Sequence, residues 1–317
     1  MDDNTTRVRV KGRPVGAPSR AIGDRVVVTR GSLFKIATIK DEELVAGPTI
    51  LDPASFVSEL KSGPLGADLL TFTQRLPDTV RRYSYPVEWE DIAAIPITTY
   101  SNWLKTQVED GTRRAVKRAT KLGVETRIVQ YDDTFVDAVR KIYDESPSRQ
   151  GKRFWHYRED VDVVKSELAS YLERSTFIGA YYENELIGFL KMTDVESTAT
   201  MTLIFSAQRH FDKKPNNALI AKAVELSELR GMAYLTYGQF VYRDPNSTLT
   251  HFKRRNGFQA IPVPRYYVPL TVKGSVVLKF GLHHGVAGII PPEMLKVAVG
   301  IRAHYSKIAV LRKSAHD

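Results

Sequence analysis

The hydrophobic pattern between residues 199 and 258 switches from strand to helix and back, and the other elements are arranged around this stretch. A β-prone apolar run at residues 199–205 predicts a strand, and a polar loop follows it. Leu219, Ala223 and Leu226 then recur at helical spacing, which predicts a helix over residues 215–230 that starts with proline and is followed by glycine. A loop that enters a helix N-terminus favours an anion, because free backbone N–H groups point at it.

Similar patterns predict the elements of the rest of the chain. Strands are predicted at residues 25–29, 33–39, 68–72, 124–129, 176–182 and 186–193. Helices are predicted at residues 53–60, 101–122, 133–143 and 160–173, the second of them loosened near Gly111. In the second half, the order of helix, three antiparallel strands, loop, helix, strand, helix and strand is typical of an α+β fold with a mixed sheet.

The two ends of the chain differ in composition from the middle. Residues 1–23 are polar, basic and rich in glycine and proline, which predicts a flexible arm. Residues 271–317 are predicted to form a tail that contains an amphipathic helix. Its apolar stripe consists of Met294, Ala298, Ile301, Tyr305 and Ile308, with lysines and arginines around it. Such a helix either packs back on the protein, which is the commoner arrangement, or makes a peripheral contact with an anionic membrane.

The composition is that of a soluble protein with a core, and it excludes several kinds of chemistry. Of the 317 residues, 43% are hydrophobic and 26% are charged. The absence of cysteine excludes disulfides, thiolate nucleophiles and cysteine-ligated zinc. The first residues lack the apolar core of a secretory signal, and no apolar run approaches the length of a membrane span. A cytoplasmic location is therefore expected.

The chain is basic, with a formal net charge of +10. This charge indicates either a polyanionic partner, such as RNA, a nucleotide cofactor or an anionic lipid surface, or only a solubilising surface. The predicted helix at residues 101–122 places four cations on one face: Arg114, Lys117, Arg118 and Lys121. This face suits a phosphate backbone, and a solvated amphipathic surface is the commoner alternative.

The loop at residues 146–157 (SPSRQGKRFWHY) combines cations with aromatic rings. Loops normally lie at the surface whereas aromatic side chains prefer burial, so this composition favours contact with a substrate. The candidate substrate-binding residues of the loop are Arg149, Gln150, Trp155, His156 and Tyr157. The alternative is that Phe154 and Trp155 only anchor the loop to the core.

The common catalytic motifs are absent from the sequence. It has no HExxH metal motif, no GxSxG nucleophile elbow and no GxxxxGK[ST] phosphate loop. His283 and His284 are adjacent, so on a regular helix or strand they are expected to point apart, and no metal is expected. A group-transfer enzyme is still compatible with these absences, because it needs only a donor site, hydrogen bonds at the developing oxyanion and a path for the proton.

Three segments resemble the Fem-type (FemABX) aminoacyltransferases, a branch of the GNAT acyltransferase superfamily. They are residues 113–124 at the end of the basic helix, residues 215–219 at the start of the central helix, and residues 249–258. The last segment is similar to the family's Phe-Lys-x-x-Phe-Gly signature, with Asn256 where a phenylalanine is usual. The resemblance extends over about the last two thirds of the chain.

The resemblance implies two tandem GNAT-like subdomains, each with a mixed, mostly antiparallel sheet and flanking helices. Residues 24–130 would form a degenerate copy of the fold and residues 131–270 the catalytic copy.

The resemblance also implies roles for residues near the signature lysine. In the family this lysine lies near the acyl-transfer site, so Lys253 is expected to stabilise negative charge on the carbonyl oxygen or the leaving group. Tyr242 is a candidate proton donor to the leaving group, and Tyr237 and Gln239 are expected on the acceptor side. The alternatives are that Lys253 is one more surface cation in a basic run and that Tyr242 is a packed loop aromatic.

The donor site departs from the usual GNAT pattern. Ordinary GNAT enzymes hold the CoA pyrophosphate with a Gln/Arg-x-x-Gly-x-Gly/Ala turn, whereas the corresponding residues 208–215 contain no glycine. Without glycine the backbone cannot approach a pyrophosphate as closely, and side-chain charge would have to replace that contact. The candidate donor-binding residues are Gln208, Arg209, Lys213, Lys214, Asn216 and Asn217. The donor is expected to be either acyl-CoA or an aminoacyl-tRNA.

The expected activity is transfer of an acyl or aminoacyl group onto an amine. The resemblance implies an amine-bearing small molecule or a cell-envelope precursor as acceptor, and it admits tRNA as a partner. The alternative from another class is a catalytically inactive GNAT-like module that binds RNA or an anionic membrane surface. That alternative explains the charge and the missing glycine equally well. The sequence identifies neither the acceptor nor the oligomeric state.

Overall fold

A sheet of twelve strands runs through the computed structural model, which describes residues 5–10, 13–149, 151–242 and 244–284. In chain order the strands are β1 (Thr5–Val10), β2 (Arg13–Ile22), β3 (Arg25–Arg30), β4 (Ile36–Ile39), β5 (Leu69–Thr73), β6 (Val87–Pro96), β7 (Glu125–Val129), β8 (Ser148–Arg149), β9 (Lys152–Arg153), β10 (Ser175–Tyr182), β11 (Glu185–Val195), β12 (Thr198–Ser206), β13 (Tyr234–Gln239) and β14 (Gln259–Pro269). The short strands β8 and β9 pair only with each other.

The large sheet consists of two six-stranded halves that exchange one strand each. Its order is β1-β2-β3-β4-β5-β14-β6-β13-β12-β11-β10-β7. In each half one parallel pair interrupts an antiparallel series: β4 with β5 in the first half and β12 with β13 in the second. β14 comes late in the chain but pairs with β5, and β6 comes early but pairs with β13. The predicted α+β class with tandem mixed sheets is confirmed.

Helices cover both faces of the second half. The helices are α1 (Pro53–Ser62), α2 (Tyr100–Asn102), α3 (Asp110–Lys121), α4 (Asp133–Tyr143), α5 (Val161–Ala169), α6 (Pro215–Leu229), α7 (Thr248–Arg255) and α8 (Val272–Lys279). Successive residues of a strand point to opposite faces. Ile178 of β10 therefore packs in the cluster formed with α3 and α6, whereas the preceding Phe177 packs with α4 and α5.

Two segments differ from the sequence prediction. The flexible arm predicted at residues 1–23 contains β1 and β2, because polar and apolar residues alternate along Thr5–Val10 and β2 extends the sheet from β3. The helix predicted at residues 101–122 is broken earlier than Gly111. After α2 comes a π-helical turn, Trp103–Gln107, and Val108 is extended before α3 begins at Asp110.

The described part of the second half includes elements from both sides of the predicted boundary at residue 130. β7 pairs with β10, and α3 packs on α6. At the other end, α8 and a 3₁₀ turn, Leu282–His284, complete the described chain, so the predicted stripe at residues 294–308 lies outside the described residues. Within the described ranges, no helix combines the length and apolar character that crossing a membrane requires.

Candidate functional site

A cleft opens where the parallel strands β12 and β13 separate. Their pairing runs only from Thr198 opposite Tyr234 to Thr200 opposite Thr236, although both strands continue beyond it. The cleft has a volume of about 820 Å³ and is also bordered by α3, α6 and α7. Residues that line it include Arg114, Arg149, Ser206, Gln208, Lys214, Asn216, Asn217, Tyr237, Arg255 and Asn256.

The N-terminus of α6 lies at this cleft. The helix starts at Pro215, and the preceding Lys214 has a left-handed backbone (φ 62°) and provides no side-chain cap. The Oδ1 atom of Asn216 is buried and has no hydrogen-bond partner among the described residues. Asn217 Nδ2 donates to Asn256 Oδ1 at 3.2 Å, which ties the start of α6 to the end of α7. This end of the cleft therefore offers a ligand both a helix N-terminus and a polar side chain.

The helix at the equivalent position in the first half, α1, is capped by the side chain that precedes it. α1 also starts with proline, but the Asp52 carboxylate accepts hydrogen bonds from the backbone N–H groups of Ala54 and Ser55 at 3.1 and 3.2 Å. The Tyr83 hydroxyl donates to the carbonyl of Ile50 at 2.8 Å, and both residues line a cavity of about 230 Å³ that does not reach α1. The start of α6 has no such side-chain cap.

A carboxylate also occupies the turn before α6. Residues Gln208–Lys213 form a 3₁₀ helix, and the backbone N–H groups of Gln208 and Arg209 both donate to the carboxylate of Glu145. The Arg209 side chain pairs with Glu145 and with Glu185. These backbone N–H groups are therefore already satisfied by a carboxylate, so they are not free to bind a pyrophosphate.

The predicted donor-binding residues fall into two groups. Gln208, Lys214, Asn216 and Asn217 line the cleft. Arg209 and Lys213 do not belong to its lining, because Arg209 is paired with acids and the Lys213 ammonium lies 4.1 Å from the centre of the Tyr182 ring.

Lys253, the candidate catalytic lysine, is completely buried beneath the cleft and is not part of its lining. Its ammonium donates to the carbonyl of Gln239 at 2.5 Å and lies 4.8 Å from the centre of the Tyr237 ring and 4.6 Å from that of Tyr242. Among the described residues no acid lies within 4.0 Å of it. Burial without a counter-charge lowers the pKa of Lys253 to about 8.

The two tyrosines around Lys253 occupy different positions. Tyr237 lines the cleft, whereas Tyr242 is more than half exposed and does not. The Tyr242 hydroxyl lies directly over Gly238, where a Cβ atom would come within 2.1 Å of it. Burial raises the pKa of the Tyr237 phenol, so it stays protonated at neutral pH and can donate a hydrogen bond.

Solved structures share this arrangement of strands, although no protein-family model and no curated protein matches the chain. FemX has a TM-score of 0.54 at 10% identity, over 87% of this chain and 90% of its own. L-PGS from Bacillus licheniformis has a TM-score of 0.53 at 14% identity, over 83% and 88%. The C-terminal domain of a protein described as a lysylphosphatidylglycerol synthetase, from Agrobacterium fabrum, has a TM-score of 0.53 at 15% identity, over 87% and 88%.

The chain has the Fem/GNAT-like acyltransferase fold. At these identities the likeness shows the fold alone. Within the Fem/GNAT-like fold, the cleft of about 820 Å³ lies in the second half of the chain.

The loop at residues 146–157 is mostly anchored to the core of the Fem/GNAT-like fold. His156 is fully buried, stacks on Tyr143 with ring centres 4.2 Å apart and contacts the Glu159 carboxylate at 2.9 Å. Neither His156 nor its neighbours Trp155 and Tyr157 line the cleft, because the aromatic rings pack around one another. Phe154 and His156 are thus anchored in the core, whereas the Trp155 side chain stacks on His156 and stays partly exposed.

Hydrogen bonds within the protein hold the side chains of two other predicted acceptor-side residues. Arg149 lines the cleft, but its guanidinium donates to the carbonyls of Ser206 and Ile142 at 2.9 and 2.8 Å, and burial lowers its pKa. Gln239 is not in the lining; its amide donates to Glu90 at 3.1 Å. Gln150 lies outside the described residues.

Cations outnumber acids at the mouth of the cleft. Arg114, Lys214 and Arg255 line it, and among the lining residues the acid is Glu109, which lies 3.7 Å from Arg255. The exposed face of α3 continues the basic surface with Lys117, Arg118 and Lys121. In the part of the chain that the structure describes, these three and Arg114 have no acid within 4.0 Å, so their charge is available to an anion.

The expectation that His283 and His284 point apart is wrong. Both Nε2 atoms approach the same oxygen of Glu88, at 2.9 and 3.0 Å. The expectation assumed a regular helix or strand, whereas the two residues end a 3₁₀ turn. Burial raises the pKa of Glu88, but hydrogen bonds from the two imidazoles outweigh this effect and lower it.

Two residues that shape the site are not among the predicted site residues. Glu145 lies far from the turn in sequence, so its contact with Gln208 and Arg209 follows only from the folded chain. Asn256 stood out as a departure from the family signature. It is buried, and its carbonyl accepts a hydrogen bond from Trp103 Nε1 at 3.0 Å, so it joins α7 to the π-helical turn as well as to α6.

Proposed function

We propose that this chain transfers an aminoacyl group from an aminoacyl-tRNA to an amine-bearing acceptor such as a small molecule or a cell-envelope precursor. The observation that carries the proposal is the cleft between β12 and β13, which has a helix N-terminus at its end and a basic face beside it. The cleft lies in a fold that the chain shares with FemX and L-PGS, and its size and polar lining suit acyl transfer.

The turn before α6 favours tRNA over CoA as the donor. Binding a pyrophosphate there would require displacing the Glu145 carboxylate from two backbone N–H groups. A tRNA needs no such turn, because its affinity comes from cations spread along a surface. Arg114 in the cleft and Lys117, Arg118 and Lys121 along α3 form such a surface.

The chemistry requires one new bond and one broken bond. The acceptor nitrogen attacks the ester carbonyl carbon, the C–O bond to the ribose breaks, and the proton lost by nitrogen ends on the ribose oxygen. Tyr237 is the protonated phenol in the cleft, so it is suited to donate a hydrogen bond to the developing oxyanion. Lys253 lies behind it and supplies positive charge through the ring, in a site where burial strengthens electrostatic effects.

Replacement of Arg114 and Lys117 by alanine is expected to weaken aminoacyl-tRNA binding and to make it less sensitive to salt. Each lost phosphate contact should reduce the slope of log K against log salt by about one, so the double variant should lose about two. Filter binding of charged tRNA over a salt series measures this slope. The matched control is Lys61→Ala with Lys279→Ala, which removes the same charge from exposed positions on α1 and α8.

Binding must be accompanied by donor turnover for the proposal to hold. The wild-type chain should consume labelled aminoacyl-tRNA in the presence of an amine-containing extract, and acyl-CoA should not replace it. Turnover of acyl-CoA with no effect of the Arg114 and Lys117 changes would refute the tRNA donor. Binding of tRNA without any turnover would instead identify an inactive RNA-binding module.

A further inference from the structure

We propose that Glu88, His283 and His284 bind a divalent transition-metal ion such as Zn²⁺. This site is separate from the transfer cleft, and the proposal does not depend on the transferase function. The proposal rests on the positions of three ligand atoms. Glu88 is far in sequence from the two histidines, and the adjacent histidines were expected to point apart.

The three ligand atoms converge on one small volume. His283 Nε2 and His284 Nε2 lie 2.9 and 3.0 Å from Glu88 Oε1, and the three residues form a group whose ligand atoms all lie within 4.8 Å of one another. Zn–N and Zn–O bonds of about 2.0–2.2 Å at tetrahedral angles place ligand atoms slightly more than 3 Å apart. A small outward shift of each side chain would therefore admit the ion.

The turn after α8 places both histidines beside Glu88. α8 ends at Lys279, and Gly281 has a left-handed backbone (φ 67°) that turns the chain into the 3₁₀ helix Leu282–His284. Successive side chains of a 3₁₀ helix are about 120° apart, so the helical angle alone does not bring the two rings together, and the shared contact with Glu88 does. The two rings lie with their centres 4.0 Å apart and approach the Glu88 carboxylate of β6 together.

The surroundings suit a metal centre. Two imidazoles and one carboxylate are a donor set typical of zinc and other first-row metals, and three protein ligands leave a position for water. The Tyr267 ring lies 4.7 Å from that of His283 and restricts its orientation. Both residues also line a cleft of about 570 Å³, which gives an ion an entry path.

The contrasting explanation is a hydrogen-bonded clamp in which both imidazoles donate Nε2–H to Glu88. The clamp needs only an acceptor oxygen, which glutamine also has, whereas the metal site needs an ionised ligand. Glu88→Gln therefore distinguishes the two. The side chain of His284 is about half exposed, so its removal leaves little of the core disturbed.

The test is calorimetric titration of the full chain, stripped of metal with EDTA, with Zn²⁺ and separately with Mg²⁺. We expect one equivalent of Zn²⁺ to bind, and Mg²⁺ not to bind, because imidazole ligands suit zinc rather than magnesium. His284→Ala and Glu88→Gln should each weaken Zn²⁺ binding at least about tenfold, since even the loss of an outer-shell partner costs 10–100-fold. His251→Ala, on α7, is the matched control and should bind like the wild type.

A Co²⁺ titration gives an independent readout, because imidazole-bound Co²⁺ has visible absorption bands that the two variants should lose. Failure of the wild-type chain to bind Zn²⁺ would overturn the proposal. So would Zn²⁺ binding that survives in both variants, since the ion would then occupy another place, such as the buried group of His156, Glu159 and Glu167. Circular dichroism of each variant verifies that weak binding does not reflect unfolding.

Discussion

Replacement of Lys253 by methionine is expected to lower the rate of aminoacyl transfer by up to about 10²–10³-fold, because loss of a donor at the oxyanion itself costs this much and Lys253 acts through Tyr237. Methionine fills most of the same buried volume, so the fold should persist. The change removes the ammonium that lies between Tyr237, Tyr242 and the carbonyl of Gln239. Single-turnover loss of labelled amino acid from tRNA measures the effect.

The proposed role of Lys253 is to position and polarise Tyr237, since the lysine itself is buried beneath the cleft. Its effect should therefore overlap with that of Tyr237→Phe. If the two residues act as a unit, the double variant should be scarcely slower than the worse single variant. Independent, multiplicative losses would contradict this role.

The pH dependence of transfer offers a second readout of Lys253. Burial lowers its pKa to about 8, and the proposed role requires the protonated form. The transfer rate should therefore fall as the pH rises through about 8, and this alkaline limb should be absent in Lys253→Met. Arg254→Met removes the adjacent exposed cation of α7 and should leave both the rate and the limb unchanged. A fully active Lys253→Met would remove the lysine from the mechanism.

Replacement of Lys191 by methionine is expected to lower the free energy of unfolding by about 2–4 kcal/mol, because buried carbonyl groups lose their donor. The Lys191 side chain is almost fully buried and extends from β11 to the end of α5. Its ammonium donates to the carbonyls of Leu168 and Ser170 at 2.9 and 2.5 Å and to that of Glu167 at 3.2 Å. These are carbonyls that the end of a helix leaves unpaired. Urea unfolding measures the difference.

The sign of the pH effect distinguishes Lys191 from an exposed lysine. Burial lowers its pKa to about 8 from an ordinary 10.5. Between these values the unfolded chain binds the proton and the folded chain does not, so stability should increase as the pH rises from 8 to 10. Lys253 contributes in the same direction, and Lys191→Met should therefore lose part of the increase. Lys141→Met, at an exposed position of α4, should have the same stability and pH dependence as the wild type. If Lys191→Met were as stable as the wild type, the capping role would be contradicted.

The sequence predicts those parts of the fold that depend on local pattern. The strand, turn and helix from residue 199 onward occur as expected, and α6 begins at the predicted Pro215. α4 also has the bounds predicted, 133–143, and the Asp132 carboxylate caps it by accepting from the N–H group of Phe135 at 2.7 Å. In these segments propensity, capping and hydrophobic period agree, so tertiary contacts do not override them.

The site is harder to predict because it depends on residues that meet only in the folded chain. A run of Lys253, Arg254 and Arg255 looks like three surface cations, yet helical rotation buries the first and leaves the other two exposed. The aromatic residues after Gly151 look like a binding loop, yet His156 belongs to the core. Composition alone does not distinguish an aromatic side chain that anchors a loop from one that contacts a ligand.

The exchange of β6 and β14 has a consequence for synthesis on the ribosome. β14 pairs with both β5 and β6, and the bond between Arg265 and Thr71 joins residues 194 positions apart. The first half of the sheet is not complete until residue 269 has left the exit tunnel, because β14 is its final strand. One edge of β5 therefore stays unpaired while the whole second half is translated. The first half of the sheet, although most of it is synthesised first, can therefore complete its folding only near the end of synthesis.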